Sequence, residues 1–212
     1  MLNYGEEIAY WYLRLNGFFS IENFVIHPSE NVDDPSDVDI IAVRFPFVYE
    51  EVGGQPNDWD TQFFKSFVPD LPIGLLCEVK TGRNVDVDNL FKPQNVSYAV
   101  GRFGFTPHNT TPNYTELVSS VEQKAHTVRS DYQIAKVLFS KKDGLKKNDR
   151  FFHFPLSHLI RFLKGRFRKY PKEKYKERMF FSSNMIQYMI DTIDFDSDNN
   201  KQGYDENRKT NW

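Results

Sequence analysis

Two opposite charges lie two residues apart in the apolar segment Leu75–Gly82, where Glu78 is followed by Lys80. The segment otherwise has the composition of a buried strand, and side chains at i and i+2 of a strand project from the same face. The carboxylate and the ammonium are therefore predicted to lie side by side, on the face that also carries Leu76. Buried charges are costly unless they are paired or bind an ion, so this pair is a candidate for chemistry.

A second acid has a similar setting upstream. Asp39 lies in the β-branched, apolar run Val38–Phe47, which is typical of a strand covered on both faces. If the two strands are neighbours, Asp39 and Glu78 converge on an oxygen-rich site for Mg²⁺ or Mn²⁺, with the backbone carbonyl of Val79 as a third candidate ligand. Lys80 could hold or deprotonate a water, or stabilise charge that develops on phosphorus. The pattern is what a metal-dependent phosphodiesterase needs.

The first predicted helix supplies another candidate acid. Residues Gly5–Asn16 have the apolar spacing of a helix. Glu6 lies at helical spacing with Ala9 and Leu13, on a face that points toward the core, whereas Glu7 is predicted to be more exposed. We therefore expect Glu6 to reach the same cleft, where it would support the metal ligands or the attacking water.

The remaining pattern predicts the elements that position these residues. Strands are predicted at 18–26, 38–47, 74–80, 133–139 and 151–155, and helices at 5–16, 88–101, 115–129, 157–170 and 183–193. Pro93 is expected near the start of the second helix or at a kink in it. A Pro- and Gly-containing stretch at 46–73, with a short helix near 60–67, has the character of an insertion. This order predicts an α/β fold with a central mixed sheet flanked by helices.

Length and composition indicate one domain. The 212 residues are 40% hydrophobic, so we expect residues 1–193 to form a single domain, with the insertion at 46–73 and a basic helical region at 157–193. Residues 194–212 are polar, acidic and without periodicity, and are predicted to be a flexible tail. Cys77 is the only cysteine, the chain starts without a basic-then-apolar leader, and no apolar run reaches membrane-spanning length. A cytoplasmic protein without a membrane partner is therefore expected.

These residues resemble the motifs of a known family. The segment Gly5–Leu13 fits the Gly-Glu-x-x-Ala-x-x-Tyr-Leu start of small nuclease-like proteins, the bacterial relatives of archaeal Holliday junction resolvases. Asp39, within Val38–Ala42, is similar to the acid in their second motif, and Glu78–Lys80 is similar to their Glu-Val-Lys segment. Over roughly its N-terminal half, the chain thus resembles the PD-(D/E)XK nuclease superfamily.

The resemblance implies a restriction-endonuclease-like α/β core and hydrolysis of phosphodiester bonds, with DNA rather than RNA as the substrate. In that superfamily the acids of the second and third motifs bind Mg²⁺ and the lysine supports the nucleophile, roles that carry over to Asp39, Glu78 and Lys80. Many nucleases of this fold act as dimers, so a homodimer is also implied. Two features differ from the family: the insertion at 46–73 replaces a tight hairpin, and the residue directly before Asp39 is Val38 rather than a proline.

Two further sets of residues are candidates. Gln94 and Tyr98 resemble the Gln-x-x-x-Tyr element of the RecB-like branch, although residues one helical turn apart often only pack locally. The segment Arg161–Arg178 carries nine basic and two acidic residues, a pattern that suits binding of a phosphate backbone. A solvated helix with inward-facing aromatic side chains explains the same pattern equally well. The candidates within it for nucleic-acid binding are Arg161, Lys164, Arg166, Arg168 and Lys169.

Other interpretations remain open. Glu78 and Lys80 could form only a salt bridge on a solvated face. The chain could also be a non-catalytic module that retains the nuclease fold and binds nucleic acid or a protein, or an interaction protein that docks through a phenylalanine-rich surface. Three charged residues in predicted buried strands favour the enzyme, because a site without chemistry has no reason to keep them.

Overall fold

The computed structural model describes residues 3–25, 37–107, 112–145, 148–170 and 183–201. The chain divides into two units, Met1–Ile160 and Arg161–Trp212, with the boundary inside the region predicted as a single domain up to residue 193. The first unit has a six-stranded mixed sheet flanked by helices, so the predicted α/β class is confirmed at this level. Among the described helices, none has the length and apolar character needed to cross a membrane.

Helix α1 spans Tyr4–Leu15 and begins with a capping box. The Asn3 side chain accepts the backbone N–H groups of Gly5 and Glu6, and the Glu6 carboxylate accepts the backbone N–H of Asn3. The helix ends before Gly17, whose φ of 82° lies in the left-handed region that glycine adopts most readily. Local sequence therefore explains both ends of this helix.

Six strands form the sheet. The first three, β1 (Phe19–Val25), β2 (Asp37–Arg44) and β3 (Ile73–Lys80), are antiparallel neighbours. On the other side of β3 lies the parallel strand β5 (Gln133–Ser140). Two short strands share the far edge of β5: the antiparallel β4 (His126–Val128) along its first half, and the parallel β6 (Phe152–Pro155) along its second half.

The three parallel strands β3, β5 and β6 end at the same edge of the sheet. In register, Lys80 is opposite Ser140 of β5, and Ser140 is opposite Pro155 of β6. Helices α3 (Pro93–Phe103) and α4 (Asn113–Gln123) lie between β3 and β5 in the chain, as a parallel crossover requires. In α/β sheets, ligands bind outside the carboxyl ends of the strands, so this edge is where a site is expected.

Side chains of the sheet alternate between two covered faces. Leu76 of β3 packs in a hydrophobic cluster with Val96 of α3 and Leu117 of α4. On the opposite face, the ring of Tyr12 from α1 lies 5.8 Å from the ring of Phe139 on β5. Because residues two apart in a strand share a face, the charged pair that follows Leu76 projects on the α3–α4 side.

The segment 46–73 connects β2 to β3 and contains two short helical turns. One is a 3₁₀ turn at Pro56–Asp58, and the other is helix α2 at Thr61–Phe64. Asp60 caps α2 by accepting two backbone N–H groups of its first turn. Phe63 is 1% exposed, so this insertion contributes to the core and holds the short helix that its sequence predicts.

Two helix boundaries differ from their predictions. Helix α3 begins at Pro93 rather than at residue 88, because proline lacks an N–H group and fits the first helical position. Helix α4 ends at Gln123 instead of continuing to residue 129, and the residues that follow form β4, which was not predicted. Three residues are too few to show a periodic pattern, and this strand exists because β5 offers it a pairing edge.

Two helices carry the end of the described chain. Helix α5 (Leu156–Lys169) follows β6 directly, and its residues from Arg161 onward belong to the second unit. Helix α6 (Asn184–Lys201) continues past its predicted end at residue 193, so residues 194–201 are helical where a flexible tail was expected. Their polar composition has no apolar period from which the helix could be recognised. Residues 202–212 of the predicted tail lie outside the described residues.

Candidate active site

Asp39 and Glu78 approach each other across the β2–β3 pair. The last residues paired in this direction are Ile40 of β2 and Cys77 of β3, so Asp39 and Glu78 are the next in register. In place of a continued backbone ladder, Oδ2 of Asp39 accepts the backbone N–H of Val79 at 2.6 Å. This hydrogen bond holds the Asp39 carboxylate at the carboxyl end of β3.

Lys80 joins the two acids. Its Nζ atom lies 2.6 Å from Oε2 of Glu78 and 3.1 Å from Oδ2 of Asp39, and donates a hydrogen bond to each. The side chains of Asp39 and Glu78 are 16% and 10% exposed, whereas that of Lys80 is 37% exposed. The carboxylates are therefore nearly buried, and the ammonium lies closest to solvent.

The two carboxylates affect the protonation of their neighbours. Burial by itself lowers the pKa of Lys80, but the charges and hydrogen bonds of Glu78 and Asp39 outweigh it and raise this pKa above the ordinary lysine value. Burial, followed by the negative charges of Asp39 and Glu78, raises the pKa of the Cys77 thiol well above its usual range. Lys80 is thus a charged hydrogen-bond donor at neutral pH, and Cys77 is a neutral core residue rather than a nucleophile.

The start of α1 lies close to the end of β3. A Cβ atom added to Gly5 would collide with Cγ2 of Thr81, the residue after Lys80. Glu6 is buried, and its carboxylate accepts hydrogen bonds from the backbone and side-chain nitrogens of Asn3. Glu7 is half-buried, so Glu6 is the more enclosed of the two acids, as predicted. The structure places Glu6 in the capping box beside β3, and its support of the site stays a prediction.

The donors at the end of β3 fit a hard divalent cation. Two carboxylates from adjacent strands converge on one point, which is now taken by the Lys80 ammonium. The Lys80 carbonyl accepts the N–H of Lys141 on the β5 side, and the Val79 N–H points to Asp39 on the β2 side. Because the N–H and C=O of one strand residue point to the same neighbour, the Val79 carbonyl is directed toward the Asp39 side.

Asp39, Glu78 and the Val79 carbonyl could therefore offer oxygen ligands to Mg²⁺ or Mn²⁺. Within the described ranges of the chain, no group of three or more His, Cys, Asp or Glu side chains is suited to a metal ion. A cation at this site would thus combine two carboxylates with a backbone carbonyl and waters, a mixture that Mg²⁺ commonly accepts.

Helix α3 carries the two accessory candidates. Gln94 is half-buried in the first turn of the helix, and Tyr98 is 42% exposed one turn later. Neither belongs to the buried stripe of the helix, which consists of Asn95, Val96, Ala99, Val100 and Phe103. Their position leaves both side chains accessible from solvent, and an accessory role for them stays a prediction.

The five basic candidates for nucleic-acid binding lie on α5, in the second unit. Three of them, Arg161, Arg168 and Lys169, are exposed. Lys164 is half-buried. Arg166 is buried, with its guanidinium carbon 5.3 Å from the ring centroid of Phe162. The exposed members are available to phosphates, whereas Arg166 packs on an aromatic ring. Residues 171–182 of the predicted basic segment lie outside the described residues.

The structure also brings to this edge polar residues that the sequence did not single out. Ser140, opposite Lys80 in register, is fully buried, and its Oγ atom lies 2.9 Å from Nε2 of His153 on β6. Lys141 follows it and is exposed. Nothing in the sequence links Ser140 to Lys80, because the order of strands in the sheet is a long-range property. The sequence feature that could have indicated these residues is the serine and the two lysines that follow the apolar run Gln133–Phe139.

A second unpredicted group is buried on the α1 face. The Asp60 carboxylate accepts the Tyr12 hydroxyl at 2.7 Å and lies 2.6 Å from Nε2 of His158 on α5. The backbone N–H of Asp60 donates to the Asn16 side chain at 2.9 Å. Burial, followed by the negative charge of Asp60, raises the pKa of Tyr12 well above its ordinary value. This group joins α1, the insertion and the start of α5, which is a structural role.

The residues that carry the family resemblance lie on α1, β2 and β3, and two of these elements contribute side chains to one cluster. That cluster consists of Asp39, Glu78 and Lys80, joined by the two ion pairs of Lys80. No family model, curated protein or solved structure matches the chain. The likeness to PD-(D/E)XK nucleases thus rests on the motifs themselves.

Proposed function

We propose that the protein is a metal-dependent nuclease that hydrolyses phosphodiester bonds, with DNA as its substrate. The observation that carries this proposal is the convergence of Asp39 and Glu78, from adjacent strands, on the Nζ atom of Lys80. Two carboxylates and a lysine at one edge of a sheet are the groups that metal-assisted hydrolysis of a phosphodiester requires. The resemblance of the same segments to PD-(D/E)XK motifs supports the assignment.

Mg²⁺ or Mn²⁺ is the cofactor that this function implies. Asp39, Glu78 and the Val79 carbonyl would hold it, because all three provide hard oxygen ligands. When bound, such an ion supplies Lewis-acid stabilisation of the phosphate charge and lowers the pKa of a water molecule. The hydrogen bond from the Val79 N–H keeps the Asp39 carboxylate in place for this role.

Lys80 and Glu6 have supporting roles in the proposal. The Lys80 ammonium donates to both acids, and with three N–H donors it can also orient a water or a phosphate oxygen. Glu6 would support the site from the start of α1, beside the end of β3. Gln94 and Tyr98 would be accessory residues on α3, the helix that covers the same face of the sheet.

In the proposed reaction, the oxygen of a water molecule forms a bond to phosphorus and one ester P–O bond breaks. The water releases a proton to solvent, and the departing ester oxygen takes up a proton and becomes a hydroxyl group. One phosphomonoester end and one hydroxyl end result. The reaction therefore needs neither an oxidant nor a reductant.

The finer assignments of fold, partner and location belong to the same proposal. A mixed sheet with helices on both faces is compatible with the restriction-endonuclease-like core that the resemblance implies. The exposed basic residues of α5 would contact the DNA backbone without reading its sequence. A homodimer would supply two sites for the two strands of a duplex. A DNA substrate and a single, unpaired Cys77 fit a cytoplasmic protein.

Cleavage of a panel of DNA substrates tests the function. Plasmid, linear duplex, single-stranded and junction DNA would be incubated with the protein in Mg²⁺ or Mn²⁺, beside the variants Glu78→Gln and Lys80→Ala. Glu116→Gln is the matched control, because its side chain is 71% exposed on α4. We expect metal-dependent cutting by the wild type and the control that both site variants lose. Cutting that persists in both site variants would exclude this site.

A non-catalytic module that binds nucleic acid or a protein is the second candidate. One observation favours it: the Lys80 ammonium pairs with both Asp39 and Glu78, so the two acids already have a cationic partner within the chain. Such a module would bind DNA without cutting it in any of these metals. A folded wild type that binds DNA but leaves the whole panel intact would select this function.

A further inference from the structure

Two exposed lysines lie directly beside the proposed site, at the carboxyl end of β5. Lys141 and Lys142 follow Ser140, which is opposite Lys80 in register. The backbone N–H of Lys141 donates to the Lys80 carbonyl at 3.0 Å. The turn is therefore joined to the strand that carries Glu78, and neighbouring strands lie only about 4.8 Å apart.

Polar contacts hold this turn on both sides. The Oγ atom of Ser140 lies 3.3 Å from both the backbone nitrogen and the carbonyl oxygen of Lys142, and 2.9 Å from Nε2 of His153. Further along, the Asp143 carboxylate accepts the Ser157 hydroxyl at 2.6 Å. Ser140 is 0% exposed, so the turn is tied to the interior of the sheet. A backbone that is ordered in advance loses less entropy when its side chains bind a ligand.

Position distinguishes these lysines from the other exposed lysines that the structure describes. Their turn is hydrogen-bonded to the strand of Glu78 and Lys80, at the edge where three parallel strands end. A polyanion that runs along this edge, with one phosphate at Lys80, places its next phosphates near the turn. Two positive side chains in the turn that follows the adjacent strand complement that charge.

We propose that Lys141 and Lys142 bind phosphate groups of the DNA strand next to the phosphodiester that is cut. This inference rests on the proposed function and adds the path of the substrate, which crosses the carboxyl ends of β3 and β5. Ser140 and His153 act as positioning residues, because they hold the turn and do not touch DNA themselves. The contacts set the register and affinity of the DNA strand and carry no sequence information.

DNA binding by the double variant Lys141→Ala/Lys142→Ala tests the inference. Affinity would be measured with a short fluorescein-labelled duplex and a single strand of the same length, with EDTA present to prevent cleavage, over a series of salt concentrations. Lys65→Ala/Lys124→Ala is the matched control, because both lysines are exposed, lie elsewhere in the first unit and remove the same charge. Lys141→Arg/Lys142→Arg keeps the charge in the turn.

The expected readout is the slope of the logarithm of the association constant against the logarithm of salt concentration. Its magnitude should fall by about 2 in the Lys141→Ala/Lys142→Ala variant, about 1 for each lost phosphate contact. The slope should be unchanged in the control and in the arginine variant. In cleavage, the alanine variant should show a higher KM with kcat preserved, since contacts away from the reacting phosphate bind the ground and transition states alike.

Failure of this inference and failure of the proposed function give different results. Suppose that cleavage depends on Glu78, but Lys141→Ala/Lys142→Ala binds DNA as tightly as the wild type. The proposed lysine contacts are then wrong, and the nuclease function still stands. If binding depends on the two lysines but no metal supports cleavage, the phosphate contacts of Lys141 and Lys142 are supported and the nuclease function is excluded. An equal loss of binding in both double alanine variants overturns the inference, because overall charge would then explain the attraction. The inference is also overturned if the wild type binds neither the duplex nor the single strand.

Discussion

The backbone N–H of Val79 donates a 2.6 Å hydrogen bond to the Asp39 carboxylate, at the point where the backbone pairing of β2 with β3 has ended. The two strands are thus joined here through a side chain. The position of the carboxylate is set by the main chain of β3 as well as by the Lys80 ammonium. An acid held in this way is ordered in advance for a ligand, which is what a metal site needs.

Asp39→Ala is expected to abolish stabilisation of the protein by Mn²⁺. An ion that binds only the folded state raises the free energy of unfolding by about 2.7 kcal/mol at 100 times its Kd, and Asp39 is a proposed ligand. Thermal unfolding with and without Mn²⁺ measures this gain. Glu116→Ala, an exposed substitution on α4, should keep it. A gain that survives in Asp39→Ala would place the ion elsewhere.

Gly5→Ala is expected to lower the free energy of unfolding by about 1–3 kcal/mol, the usual cost of overpacking. The added Cβ would collide with Cγ2 of Thr81 and lie 3.1 Å from Cγ1 of Val79. Urea denaturation measures the change. Thr81→Ser removes the colliding methyl group, so the loss caused by Gly5→Ala should be smaller in that background. An equal loss in both backgrounds would show that this contact is not the cause.

Gly165→Ala is the matched control for Gly5→Ala. Both glycines lie in helices, but among the described residues a Cβ at Gly165 meets no atom within 4 Å beyond its own helix. Alanine is the better helix former by up to about 1 kcal/mol, so this substitution should stabilise the protein. If the free energy of unfolding falls in Gly5→Ala and rises in Gly165→Ala, the loss at Gly5 comes from close packing at the end of β3 and not from helix propensity.

Lys136 is expected to make stability depend on pH above neutrality. It is 1% exposed on β5 and donates to the Glu122 carbonyl, in the last turn of α4, at 2.6 Å. Burial, followed by the positive charge of Arg150, lowers the pKa of Lys136 to about 8 from an ordinary 10.5. The folded state binds this proton more weakly than the unfolded chain does. The free energy of unfolding should therefore rise as pH increases from about 8 to 10.5.

Lys136→Met isolates this effect, because other titrations are shared with the wild type. The free energy of unfolding of the wild type minus that of the variant should grow with pH across this window, by up to about 1.4 kcal/mol per pH unit. Urea denaturation at several pH values measures the difference. A difference that stays flat would mean that Lys136 keeps an ordinary pKa in the folded protein.

Asp60→Ala is expected to destabilise the protein by roughly 2–4 kcal/mol, since it removes a helix cap and leaves buried polar groups without their acceptor. The groups affected are the first turn of α2, the Tyr12 hydroxyl and the His158 imidazole. Tyr12→Phe should cost less, because one hydrogen bond is lost. Chemical denaturation measures the free energy of unfolding of the wild type and of each variant. A loss no larger than that of Asp70→Ala, an exposed control, would contradict the structural role.

Local chemistry was sufficient to predict much of the first half of the fold. The apolar spacing of residues 5–16 predicted α1, and the structure adds the cap formed by Asn3 and Glu6 at its start. The alternation around Glu78 correctly predicted that Lys80 shares its face. Asp39 could be placed beside Glu78 because successive strands along the chain are often neighbours in a sheet.

Long-range pairing is what the sequence could not reveal. The position of β5 beside β3 brings Ser140 opposite Lys80. No pattern in the two segments indicates that they pair. In the same way, Asp60 reaches Tyr12 over a separation of 48 residues. Such contacts depend on how a whole layer of helices packs on the sheet, and no local pattern contains that information.

The ammonium of Lys80 gives the two carboxylates a counter-ion that belongs to the chain itself. Asp39 and Glu78 can therefore stay close together without an external cation, since the ammonium between them offsets much of their mutual repulsion. Metal binding would then be an exchange, in which Lys80 gives up its two acidic partners. The released ammonium would be free to turn to a phosphate, so one side chain would couple occupancy by the metal to recognition of the substrate.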